Sequence, residues 1–220
     1  IPESVRVIED NAFRQSVSIT YLLFASNSRL EKIGENAFRD CTGLLATVTI
    51  PSSLVDLGVS AFEGSTFQSL LFEKNSQLLT ISNRAFYAVP IQTELTIPSS
   101  VKVIGISAFS YTKTFFTLSF ESNSNLEIID SYAFKAWQSG CCSFTGGISG
   151  IVTFPASLKV ISSGAFEYCF SLKTVQFEAN SMLQTIRSRA FAMAYNSGIS
   201  SITFPPSLEL IESQAFDKSA

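Results

Sequence analysis

The chain has 220 residues, 46% of them hydrophobic and 15% charged, enough for one or two compact units at about 150 residues each, and a disordered chain is excluded. Its formal charge of −3 supplies no basic stripe, and no run approaches the roughly 18 apolar residues of a membrane helix, so neither nucleic acid nor direct membrane insertion is expected. There is no histidine, which removes Ser-His-Asp and Cys-His catalysis and every histidine-ligated metal centre.

The opening Ile1-Pro2-Glu3-Ser4-Val5 is neither basic nor followed by an apolar signal core. A secretion signal or anchor is therefore expected outside this segment. Four cysteines are too few for a disulfide framework.

Along the chain one unit recurs, [V/L]-x-x-[I/L]-x-x-x-A-F, at Val5 to Phe13, Leu30 to Phe38, Leu54 to Phe62, Leu78 to Phe86, Val101 to Phe109, Leu126 to Phe134, Leu158 to Phe166, Leu183 to Phe191 and Leu208 to Phe216. Successive phenylalanines lie 25, 24, 24, 23, 25, 32, 25 and 25 residues apart. Apart from the long step, that period is the one expected of leucine-rich repeats. The segment before the unit alternates between two types. One holds proline, as in Ile50-Pro51-Ser52-Ser53 and Ile97-Pro98-Ser99-Ser100; the other holds Asn-Ser, as in Phe72-Glu73-Lys74-Asn75-Ser76 and Phe120-Glu121-Ser122-Asn123-Ser124.

Ahead of each Pro or Asn-Ser turn sits a short stretch with apolar residues at every second position: Leu22/Phe24, Val48/Ile50, Leu70/Phe72, Leu95/Ile97, Leu118/Phe120, Val152/Phe154, Val175/Phe177 and Ile202/Phe204. Period two predicts a strand with one buried face, ended by proline or by Asn and Ser side chains bonding to the nearby backbone. The Ile-x-x-x-Ala-Phe part places apolar groups at i, i+4 and i+5, often after a small or capping residue such as Gly34, Ser82, Asp130 or Ser162. This spacing predicts one or two capped helical turns, with Ala where the turn meets the strand layer and Phe filling the space between repeats. Stacked, nine such units make an α/β solenoid, a parallel strand ladder on one face and short helices or turns on the other. Residues 1–220 are read as a single solenoid, cut from a longer array.

With Cys41 and Cys169 three residues beyond the phenylalanine, the Pro-x-Ser-[V/L]-x-x-Ile-x-x-x-Ala-Phe pattern resembles the BspA-like, or Treponema pallidum-type, leucine-rich repeats. The alternation with Phe-x-x-Asn-Ser-x-Leu looks like the protozoan members. The resemblance spans the whole chain. It implies a cell-surface or secreted protein that adheres to host, matrix or microbial partners, without catalytic residues or a cofactor. Departures are the long step after Phe134 and the residues Ser16, Ser65, Val89, Thr112, Trp137, Ala194 and Ser219 at the cysteine position.

Candidate binding residues fall in two places. The middle residue of each predicted strand points outward, giving the row Leu23, Thr49, Leu71, Thr96, Ser119, Thr153, Gln176 and Thr203, polar but almost uncharged. It reads either as a hydrogen-bonding surface for a protein or glycan or as threonine solvating an exposed sheet. The extra residues, at about 138–149, are read as a projecting loop, with Trp137 and Phe144 as anchors and Cys141 and Cys142 as adjacent thiols. Cys41 and Cys169 are read as buried packing residues. Glu73, Glu121 and Glu178 recur beside Asn75, Asn123 and Asn180, but in alternate repeats, about 10 Å apart, they are too distant to share calcium, and the asparagines are read as turn formers. No Asn-x-Ser/Thr sequon is present. The leading expectation is a non-enzymatic binding module; the second is a self-associating structural solenoid of a coat or scaffold, with the oligomeric state left open.

Overall fold

The computed structural model describes residues 1–112, 114–139, 143–193 and 199–219. The chain winds as a solenoid whose successive coils are joined by three parallel sets of hydrogen bonds.

The first set is the expected strand ladder. Val48–Ile50 pairs with Leu70–Phe72, Leu95–Ile97 with Leu118–Phe120, and Gly147–Phe154 with Ser171–Phe177, which in turn pairs with Ser201–Ile202, all parallel. Alternation buries Val48, Ile50, Leu95, Ile97, Val152 and Phe154 and turns the residues between them outward. Leu22 to Phe24 is the exception and forms no strand. Its edge instead meets the chain start, Ala25 donating to the Ile1 carbonyl at 3.0 Å.

The second set was not expected. The repeat isoleucine ends a two-residue strand, and these pair in sequence: Val7–Ile8, Lys32–Ile33 and Asp56–Leu57, then Thr80–Ile81, Val103–Ile104, Ile128–Ile129, Val160–Ile161, Thr185–Ile186 and Leu210–Ile211. Every Ile or Leu of this row up to Ile186 is buried.

The third set replaces the predicted helices, of which there is none among the described residues. Around Ala-Phe the backbone takes a left-handed residue twice, four positions apart, as at Asn11 and Gln15, Asn36 and Asp40, and Arg84 and Ala88, with φ from 54° to 59°. A right-handed helix cannot run through such residues. The chain instead makes linked turns in which alternate amides bond within the coil and the others reach the next coil. Ala12 donates back to Glu9, while Asn11, Phe13 and Gln15 donate to Glu35, Ala37 and Arg39. The bond from the Phe amide to the Ala carbonyl of the following coil recurs from Phe13 to Phe191 at 2.7–2.8 Å. Apolar spacing at i and i+4 thus fits a turn ladder as well as a helix.

Phenylalanine fills the centre as expected. Phe13, Phe38, Phe62, Phe86, Phe109, Phe134, Phe166, Phe191 and Phe216 form one stack, neighbouring ring centres 5.0–5.5 Å apart and tilted by 2–15°. The seven inner rings are fully buried, each contributing roughly 1.5–3 kcal/mol through burial.

The two repeat types make different bonds. In the Pro type, the serine two residues after the first proline (Ser53, Ser100, Ser157, Ser207) donates its hydroxyl to the leucine carbonyl of the preceding coil at 2.8–2.9 Å. In the Asn-Ser type, serine (Ser28, Ser76, Ser124, Ser181) accepts from the leucine amide two residues on. Asn75, Asn123 and Asn180 take φ of 57–61°, the turn role assigned to them. The accompanying glutamates cap the preceding coil: Glu73 accepts from the Ser52 amide, Glu121 from Ser99 and Glu178 from Ala156, at 2.8–3.0 Å.

Among the described residues of the long step, strands take the place of the expected loop. Trp137–Ser139 and Ser143–Thr145 pair as an antiparallel hairpin, and Gly147–Phe154 is a continuous strand that also pairs with Phe115–Phe116. Its pairing to Ser171–Phe177 shifts register between Gly150 and Ile151, where Gly150 has φ of 77°. A hairpin satisfies its own backbone, which is why added residues fold there without opening the coil.

Candidate functional site

The structure gathers the predicted outward row on one face. Thr49 lies opposite Leu71, Thr96 opposite Ser119 and Thr153 opposite Gln176. Leu23 and Thr203 lie just outside the regular strands, and both are exposed. Polar groups in the row bond to each other: Ser119 donates to the Glu94 carboxylate at 2.8 Å, and so accepts from Thr96 at 2.9 Å, while Thr153 donates to the Gln176 side-chain oxygen at 3.2 Å. Leu23, Leu71 and the neighbouring Ile151 are apolar and exposed, so hydroxyls and aliphatic surface are interspersed.

Thr153 is the centre of this face. Open hollows of about 350 and 450 Å³ adjoin it, the first walled by Ser119, Phe120 and Ile151, the second by Gln176, Ser201, Thr203 and Phe204. Glu178 borders both and is fixed by the Ala156 amide at 3.0 Å. In the hairpin the backbone sets Trp137 opposite Thr145 and Gln138 opposite Phe144. Cys141, Cys142 and Ala194 lie outside the described residues.

The other two cysteines are structural. Cys41 and Cys169 direct their thiols at the Phe13 and Phe134 carbonyls of the preceding coil, at 3.0 and 3.3 Å. Ser65 does the same with its hydroxyl to Phe38 at 2.6 Å, and Ser219 to Phe191, which explains why serine and cysteine share this position. Burial raises the Cys41 thiol and pushes Cys169 up to about 12, so neither is a thiolate nucleophile near neutrality.

Sequence reading missed the turn face. Glu63 and Glu167, each directly after a repeat phenylalanine, are buried beneath cations from neighbouring coils. Glu63 meets Arg39 at 3.1 Å and Arg84 at 2.7 Å; Glu167 meets Lys135 at 2.8 Å and also Arg189. Burial opposes the Glu63 charge, but hydrogen bonds from Arg84 and Ser60 and the charges of Arg84 and Arg39 outweigh it and hold the carboxyl below its usual range. Arg39 and Lys135 share the position after phenylalanine with these glutamates, an alternation of sign that was the available signal. Among the described residues no three His, Cys, Asp or Glu side chains gather as a metal site, and no helix is long and apolar enough to cross a membrane.

Coils of 23–25 residues with parallel ladders, a capped turn and a buried phenylalanine stack define a leucine-rich repeat solenoid. The chain belongs to the BspA-type leucine-rich repeat family, whose model matches residues 6–141 and 79–220 with six copies. It is similar to the crystal structure of the pneumococcal vaccine antigen PcpA, with a TM-score of 0.60 and 26% identity over 94% of this chain and 50% of that one. A leucine-rich cell surface protein from Faecalibacterium prausnitzii A2-165 matches with a TM-score of 0.48 and 20% identity, over 97% and 61% of the two chains. A leucine-rich repeat protein from Eubacterium ventriosum ATCC 27560 matches with a TM-score of 0.36 and 17% identity, over 87% and 81%. The chain thus spans about half the length of the pneumococcal antigen. No curated protein matches the sequence.

Proposed function

We propose that the chain is a non-enzymatic binding module of a cell-surface or secreted protein, adhering to a protein or glycan through the strand face. The observation that supports this reading is the paired hollows about Thr153, where hydroxyls, an amide, a carboxylate and aliphatic surface meet on a rigid sheet. A partner there makes many weak contacts to groups already fixed in place, which lowers the entropy lost on binding. The row Leu23, Thr49, Leu71, Thr96, Ser119, Thr153, Gln176 and Thr203 supplies those contacts, with the hairpin that carries Trp137 and Phe144 as a second contact region. Membership of the BspA-type family and similarity to a vaccine antigen fit an outward-facing module.

The test is binding of the chain to an array of matrix proteins and glycans, compared with Thr96→Arg plus Thr153→Arg and with a hairpin deletion in which Asn-Gly replaces residues 138–144, leaving the Gly147–Phe154 strand intact. Saturable binding lost in the arginine variant supports the strand face. Loss only on deletion moves recognition to the hairpin. No binding, with mass rising with concentration in light scattering, replaces this reading with self-association.

A further inference from the structure

We propose that the turn face carries a second binding site, for an anionic glycan, built on Arg84, Tyr111, Tyr132 and Lys135. These residues, with Tyr87 and Ser107, line a hollow of about 260 Å³ across three coils. Four of the six tyrosines in the chain, Tyr87, Tyr111, Tyr132 and Tyr168, stand on this stretch of the turn face.

The backbone there holds large side chains in a conformation that small ones adopt more easily. Arg84, Ser107 and Tyr132 have φ of 55–59°. Asn11, Asn36, Ser60, Gly164, Arg189 and Gln214 fill the same position in other coils, and Tyr132 is the one aromatic residue there. The next coil makes room for Tyr132: a Cβ on Gly164 would come within 2.5 and 2.6 Å of two of its ring carbons.

The cations are pre-positioned from below. Arg84 gives Nε and Nη2 to the buried Glu63 at 2.9 and 2.7 Å and lies 3.7 Å over the Tyr87 ring, whose centre is 5.2 Å from that of Tyr111. Lys135 is held by Glu167 at 2.8 Å, with its nitrogen 5.0 Å from the Tyr132 ring centre. The carboxylates sit beneath the cations, and among the described residues none lines the hollow, although the whole chain is acidic. Tyrosine rings offer stacking surface to the apolar faces of sugar rings, and their hydroxyls bond sugar hydroxyls. Arg84 and Lys135 add recognition of a carboxylate or sulfate. A row presented coil by coil suits a chain of repeating units.

The test is titration of the chain with a sulfated oligosaccharide, a uronic-acid oligosaccharide, neutral dextran and polyglutamate. Saturable binding to one or both charged sugars is expected, weakening with added salt. Affinity should fall at least tenfold in Tyr132→Asn, a residue the fold already accepts at Asn11 and Asn36, and in the charge-balanced pair Arg84→Asn with Glu63→Gln. Lys74→Gln, at an exposed cation that does not line the hollow, should leave it unchanged, which separates this site from a general loss of positive charge. Which charged sugar binds more tightly distinguishes sulfate from carboxylate recognition. Failure of both charged sugars, dextran or polyglutamate binding as tightly, or affinity untouched by both variants would overturn the proposal.

Discussion

Glu63 accepts two hydrogen bonds from Arg84, one coil away, at 2.7 and 2.9 Å, while its own side chain is almost wholly buried. Its pKa lies below the ordinary carboxylate range in the folded chain, so it adds stability above the unfolded value near 4.5 that is lost as pH falls through the lower folded value. Glu63→Gln should cost about 1–3 kcal/mol at pH 7, the usual worth of hydrogen bonds to a charged group. Thermal melts should show the gap to the parent narrowing as pH drops below about 4.5; an equal gap at pH 3 and pH 7 would contradict the assignment.

The thiols of Cys41 and Cys169 should be silent in the native state. In a Cys141→Ser, Cys142→Ser background, a thiol reagent at pH 8 should label neither until the chain unfolds, because burial pushes Cys169 up to about 12 and raises Cys41. Cys169→Ser should cost less than about 1.5 kcal/mol, since Ser65 and Ser219 make the same bond to a phenylalanine carbonyl.

Capping by Glu121 gives a third prediction. Its carboxylate accepts from the Ser99 amide at 2.8 Å, so Glu121→Ala should lower stability in urea by about 1–2 kcal/mol, the range for a lost cap. Glu121→Gln keeps an acceptor and should lose less than half of that.

Asn123 sits at φ of 57°. Asn123→Ala should cost about 1 kcal/mol through left-handed strain, whereas Asn123→Gly should be near neutral. Equal losses for the two would place the role of asparagine in its side chain.

In the middle of the stack, Phe109 lies 5.2 and 5.3 Å from Phe86 and Phe134. Phe109→Ala should cost about 3–5 kcal/mol. The partly buried Phe216 at the end of the stack should cost clearly less when truncated, which paired unfolding curves would show.

Much of this architecture was legible because a period of about 25 residues fixes what stacks on what. The phenylalanine stack, the strand ladder from Val48 onward and the outward row centred on Thr153 all follow from that period and from alternation by two. The helices failed because apolar groups at i, i+4 and i+5 satisfy two local geometries, and only left-handed residues such as Asn36 and Arg84 tell them apart. The hairpin at Trp137–Ser139 and Ser143–Thr145 was hidden by its lack of an alternating apolar pattern.

The sequence alone determined which apolar side chains fill the core of the inner coils, since that burial follows hydrophobic periodicity and needs no partner to be named. Tertiary structure decided where the polar groups go: Glu121 to the Ser99 amide, Glu63 beneath Arg39 and Arg84, and the Phe13 amide to the Ala37 carbonyl. Those bonds join residues more than twenty positions apart, and their direction depends on how one coil rests on the next, which local preference does not encode.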